Sequence, residues 1–138
     1  NSYLVSHGLT NTVVADASGF SPESKSTPTD LIKLGQLALQ NPVIKEIVAQ
    51  KSASIAVAGD IPNYNSLINE PNVIGIKPGA TDEAGYCLLF AAELTYANTT
   101  KHTLLAVTMG HPDRPEYVEA AKQLLEASRE AYLTSSAN

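Results

Sequence analysis

The chain has 138 residues, 43% of them hydrophobic and 17% charged, enough for one ordinary domain with a packed core and too apolar for wholesale disorder. Its net charge of −5 and nine scattered Lys and Arg residues argue against a nucleic-acid-binding face. No apolar run approaches the roughly 20 residues that span a bilayer. The chain opens on Asn1, not on Met, so the lack of a leader sequence carries no weight.

Residues 1–8 read as the end of a helix, with Gly8 as its C-terminal stop. Residues 10–22 are rich in turn formers and read as irregular. Ser26-Thr27-Pro28-Thr29-Asp30 is a strong helix start. Thr27 caps it, Pro28 suits the first turn and Asp30 favours the positive end of the dipole. Leu31, Leu34, Leu37 and Ala38 then recur at helical spacing. Asn41-Pro42 ends this helix and starts another, whose Val43, Ile44, Ile47 and Val48 are expected to face inward.

Residues 54–57 suit a short strand. Residues 73–77, 86–94 and 103–109 read as sheet strands, joined by a glycine-rich turn and by a polar loop at 96–101. Connections this short make neighbouring strands antiparallel. Asp113 and Glu116 form a capping box that opens a long helix. Tyr117, Val118, Ala121, Leu124, Leu125 and Tyr132 give that helix one apolar face for the sheet. The fold class expected is therefore α+β: helices, an antiparallel sheet of about three strands, then a long closing helix.

Several residues invite functional readings that the pattern does not support. Cys87 is a single thiol inside an apolar run, expected to be a buried small hydrophobe. His7, His102 and His111 lack metal-ligand spacing, so no metal or other cofactor is expected. Ser18, Ser21 and Ser24 have no paired base. Asp16, Asp82 and Glu83 read as solvated loop acids, not as a catalytic carboxylate pair.

The segment Gly75-Ile76-Lys77-Pro78-Gly79-Ala80-Thr81 is different. A lysine at a strand end beside a glycine turn can project its ammonium into a cleft while the backbone closes on an anion. Together with Leu9-Thr10-Asn11-Thr12, Asp16-Ala17-Ser18-Gly19-Phe20, the Ser26 to Leu31 helix start and Asn63-Tyr64-Asn65-Ser66-Leu67, it gives five motifs in order. In that order and spacing the chain resembles the serine-type D-alanyl-D-alanine carboxypeptidases, the low-molecular-mass penicillin-binding proteins, from residue 1 to about 133.

The resemblance implies the C-terminal part of a β-lactamase/transpeptidase-like fold, one partial domain over 1–138 with a frayed tail at 134–138. It implies chemistry on peptidoglycan stem peptides, or on β-lactams, through an acyl-enzyme, outside the cytoplasmic membrane. Lys77, Pro78, Gly79, Ala80 and Thr81 then correspond to the family's lysine–threonine–glycine strand, which binds the substrate carboxylate and lines the oxyanion hole. Pro78 departs from the family's threonine and removes both a hydroxyl and an N–H. The family's serine–x–x–lysine nucleophile motif does not occur in these 138 residues. A serine–x–asparagine occurs only as Ser136-Ala137-Asn138 and reads as coincidence. No catalytic residue is therefore assigned, and the chain alone is expected to be inactive. The alternative reading is a non-catalytic interaction module that pairs through an exposed sheet edge, as a homodimer or with a complementing N-terminal fragment.

Overall fold

The computed structural model of the protein describes residues 1–95 and 100–135. Most of the expected polar loop at 96–101 and the serine–x–asparagine of the expected frayed tail lie outside them. Thr134 and Ser135 still belong to the last helix.

Helix α1 (Ser2–Ser6) leads through Gly8 into an irregular stretch. Helix α2 (Pro28–Gln40) starts as its sequence dictates: the Thr27 hydroxyl accepts the Asp30 N–H at 3.2 Å, and Pro28 occupies the first turn. Asn41 ends α2 and caps α3 (Pro42–Val48), accepting the N–H groups of Val43 and Ile44. The irregular stretch is held to α2 by Asp30, only 2% exposed, which accepts the Asn11 N–H and the Thr12 hydroxyl.

A small hairpin follows, β1 (Ser52–Ile55) with β2 (Gly59–Pro62), where the sequence suggested one strand. The main sheet is antiparallel in the order β3 (Val73–Thr81), β4 (Gly85–Thr95), β5 (Lys101–His111). Helix α4 (Arg114–Ser135) closes the chain, with Asp113 accepting the Glu116 N–H at 2.8 Å. The expected α+β order of helices, three-stranded antiparallel sheet and long last helix is thus the one found.

The pleat sorts β4 onto two layers. Leu88, Phe90 and Ala92 pack with Tyr117, Ala121 and Leu125 of α4, and this cluster is the core. Full burial of each large member stabilises by about 2 kcal/mol. On the opposite face Gly35 of α2 comes so close that a Cβ there would sit 2.7 Å from Leu105 Cδ2. The sheet is therefore sandwiched between α2 and α4.

Two expectations are corrected. Val43, Ile44 and Ile47 of α3 are 62%, 40% and 59% exposed, not inward-facing. Helical spacing aligns apolar residues on one side but does not supply a surface to cover them. The turn after Lys77 also lies further on. Pro78 and Gly79 are inside β3, paired with Leu88 and Cys87, and the chain reverses at Asp82 to Ala84. The glycine the reversal requires is Gly85, at φ +62°, where a Cβ would stand 2.6 Å from the His111 carbonyl oxygen.

Candidate ligand-binding site

Strand β3 is an edge strand, with β4 on one side only. An edge tolerates proline because alternate N–H groups point away from the sheet. This explains how Pro78 sits in the middle of a nine-residue strand. The outer end of β3 divides two concave regions, and Gly79 and Ala80 line both.

The first is a cavity of about 290 Å³ between β3 and the start of α4. Lys77, Pro78, Tyr64, Tyr86, Arg114 and Tyr117 form its walls with the two small residues. Each reaches it for a local reason. Asn63 donates to the Val48 and Gln50 carbonyls and accepts the Asn65 N–H, while Asn65 accepts the Leu67 N–H. Leu67 is fully buried. This ladder pins the segment on both sides of Tyr64, which is left 69% exposed at the rim. Tyr86 stacks at 5.8 Å on Tyr117, whose ring is anchored in the core. Arg114 opens α4 directly after the Asp113 cap.

The electrostatics of this cavity run against those of the chain. It carries Lys77 and Arg114, and no Asp or Glu among the described residues lines it. Lys77 Nζ turns back to donate to the Pro78 carbonyl at 2.6 Å, leaving two of its three ammonium hydrogens available. The Tyr117 hydroxyl is buried and has no hydrogen-bond partner among the described residues. Cations and an unpaired donor around one cavity suit an anionic oxygen ligand.

The second region, about 640 Å³, lies on the α2 side. Leu31, Leu34, Cys87 and Met109 make it largely apolar. Cys87 is half-buried at its wall, not fully buried as a core hydrophobe, with its thiol 3.6 Å from the Ala84 carbonyl. The loop of residues 16–21 borders it. Although desolvation works the other way, hydrogen bonds from the Ser18 hydroxyl and the N–H groups of Gly19, Ser21 and Phe20 hold the Asp16 carboxyl below its ordinary 3.8. Asp16 is thus a loop-building acid.

Of the expected site residues, Lys77, Pro78, Gly79 and Ala80 meet at the first cavity and Thr81 lies on the second. The Thr81 hydroxyl accepts the Ala84 N–H at 3.1 Å and so closes the hairpin, keeping its own hydrogen for another partner. A Cβ on Gly79 would meet nothing within 4 Å, so packing does not demand glycine there. Arg114, Tyr117, Tyr64 and Tyr86 were not anticipated. Among the described residues no cluster of His, Cys, Asp and Glu suits a metal ion, and no helix is long and apolar enough to cross a membrane.

Comparison with known proteins agrees with this layout. The sequence profile of the D-alanyl-D-alanine carboxypeptidase family matches residues 1–113. A curated D-alanyl-D-alanine carboxypeptidase of Streptomyces sp. strain K15 is 34% identical over a region taking in 49% of this chain and 26% of that protein. A point variant of the Streptomyces K15 DD-transpeptidase superposes with a TM-score of 0.77 at 28% identity, covering 91% of this chain and 51% of that one. Penicillin-binding protein D2 from Listeria monocytogenes, solved in its ampicillin-bound form, gives a TM-score of 0.79 at 23% identity, covering 91% and 52%. The chain therefore spans about half the length of the solved relatives it matches.

Proposed function

Because the chain belongs to the D-alanyl-D-alanine carboxypeptidase family, we propose that it supplies the carboxylate-binding side of a serine D-Ala-D-Ala carboxypeptidase domain acting on peptidoglycan stem peptides. The observation that carries this reading is the edge strand β3, whose Lys77 to Ala80 segment walls a cationic cavity lined by no acid among the described residues. Lys77 attracts the terminal carboxylate, the open space over Gly79 admits the substrate backbone, and the Ala80 N–H donates to the carbonyl oxygen as it becomes anionic. Thr81 extends the polar side of the same strand.

The family reaction forms an ester between a serine oxygen and the penultimate D-Ala carbonyl carbon, expels the terminal D-Ala amine, then hydrolyses the ester with water. A serine with a lysine one helical turn on activates that attack, and this pair is absent from the 138 residues. It has to come from chain outside them, in a protein working outside the cytoplasmic membrane. Labelled penicillin tests the reading. The 138-residue chain should form no covalent adduct, whereas a domain joining it to a serine–x–x–lysine segment should be acylated. An adduct on the short chain, or none on the joined domain, overturns it.

A second reading is pairing through the sheet. Strand β5 has β4 on one side and no strand on the other among the described residues. An open edge of 11 residues can accept another strand, from a second copy or from a complementing fragment. Light scattering giving the monomer mass at high concentration, with no gain on adding the fragment, removes this reading.

A further inference from the structure

Two segments that reach the first cavity from different parts of the chain, β3 and the stretch carrying Tyr64, are both fastened to the last residue of α3. We infer that Val48 is a positioning residue for the candidate site, coupled through Asn63, and that it sets the gap between Lys77 and Tyr64; the inference rests on the reading of the cavity given above.

Three observations support it. Of the seven described residues of α3, Val48 is half-buried and the other six are exposed. What Val48 packs on is the backbone of β3. A Cβ at Gly75 would stand 2.8 Å from Val48 Cγ2 and 3.3 Å from Val48 Cβ, so any larger residue at 75 would push the valine out. The second observation is where this contact falls. The β3–β4 register shifts between Val73 and Gly75, and Lys77 follows two residues on. Such an irregularity is where a strand is re-aimed, and β3 has β4 on one side only. Val48 presses on that point.

The third observation is Asn63. Its side-chain amide donates to the Val48 carbonyl at 3.2 Å and to the Gln50 carbonyl at 2.9 Å, and its Oδ1 accepts the Asn65 N–H at 2.9 Å. Its backbone N–H donates to the Lys51 carbonyl at 2.8 Å. No donor of Asn63 is left for a ligand, and the next residue is Tyr64. Val48 therefore holds β3 through its side chain and the Tyr64 segment through its carbonyl. Neither Val48 nor Asn63 lines the cavity, so both act through the residues that do. A displacement of about 1 Å in such a site can cost up to a hundredfold in rate. The contact depends on shape as well as apolarity. The β-branch of valine places Cγ2 against Gly75; isoleucine keeps that methyl and leucine, of the same composition, does not.

The test uses the domain that joins this chain to its nucleophile segment. Stopped-flow acylation by labelled penicillin is measured, with amide resonances read by NMR on the same variants. Val48→Ala and Val48→Leu should each lower the second-order rate about tenfold, whereas Val48→Ile should stay within about twofold of the parent. A merely stabilising role would make the leucine and isoleucine variants alike. Asn63→Ala should also cost about tenfold, and should move the signals of Gly75 and Lys77 as well as that of Tyr64. The double variant Val48→Ala/Asn63→Ala should lose much less than the product of the two single losses, because both act on one joint. The spectra show that each variant is folded. Leucine and isoleucine variants that react alike, Lys77 signals unmoved by Asn63→Ala, or losses that multiply overturn the inference. If the parent domain is not acylated, the family reading fails, and the Gly75, Lys77 and Tyr64 signals of the same variants still decide whether Val48 is the joint.

Discussion

Asp30 Oδ2 lies 2.9 Å from the hydroxyl oxygen of Thr12 and 2.9 Å from the backbone nitrogen of Asn11, with Ser26 Oγ 2.8 Å from the same Thr12 oxygen. Two motifs separated in sequence, Leu9 to Thr12 and Ser26 to Leu31, are therefore two halves of one buried hydrogen-bonded cluster. Their joint occurrence has a packing cause, since Leu9 is fully buried beside it. Asp30→Ala should lower stability by about 3 kcal/mol, because it removes the buried carboxylate that accepts from both the Asn11 N–H and the Thr12 hydroxyl. Thr12→Val should lower it by about 1–2 kcal/mol. Urea unfolding of both single variants and the double variant checks this: the double should lose clearly less than the sum. Strict additivity would mean the two residues do not act as a pair.

Pro78→Thr, made in a domain that includes the nucleophile segment, should raise the second-order rate of penicillin acylation about threefold to tenfold by restoring a hydroxyl donor. Stopped-flow acylation measures it. An unchanged rate would show that the hydroxyl is dispensable in this protein.

The glycines at 79 and 35 separate ligand access from packing. Gly79→Ala should leave the unfolding midpoint nearly unchanged, since the new methyl enters open space, yet weaken peptide binding by occupying the approach to the strand. Gly35→Val should cost about 2 kcal/mol, because its branches press on Leu105, Ile76 and Leu89 across the α2–sheet interface. Chemical denaturation and peptide titration of both variants should give opposite patterns.

Stability should fall on the acid side in a defined window. The hydrogen bond from Lys45 Nζ, 3.1 Å away, holds the Glu93 carboxyl below its ordinary 4.5 against desolvation, with help from the charges of Lys45 and Lys101. A folded value below the unfolded one means the contribution is fully present above pH 4.5 and is lost as pH falls through the folded value. The pair is partly exposed, so its contribution at neutral pH is about 0.5 kcal/mol. Glu93→Gln should flatten the stability profile below pH 4.5 without changing its shape above. The Asp16 loop titrates in the same sense below 3.8. A profile of Glu93→Gln parallel to the parent's through the acid range would show that the Lys45 contact is not formed in solution.

What the sequence made legible follows from how local each signal is. The α2 cap, the Asn41-Pro42 break and the Asp113 cap are set within four residues and were readable as such. The β1–β2 hairpin was not, because Ile55 to Gly59 carries apolar residues through its turn and mimics a single strand. The turn after β3 was displaced because Pro78-Gly79 resembles turn chemistry, whereas the edge position lets both stay in strand. The β3 wall was legible from one contiguous motif. The opposite wall was not: Tyr64, Arg114 and Tyr117 come from segments that only the fold brings together, and Tyr117 read simply as a core residue.

Gly79 and Ala80 present almost no side chain, yet they stand between a cationic cavity and an apolar one. The partition is one backbone thick. A peptide crossing it would be sorted by polarity along its length, its charged end toward Arg114 and a greasy portion toward Leu31, Leu34 and Met109. Reversing such a peptide would turn its carboxylate from the two cations of the first cavity toward aliphatic side chains, with Lys25 as the single cation among the described residues lining that side.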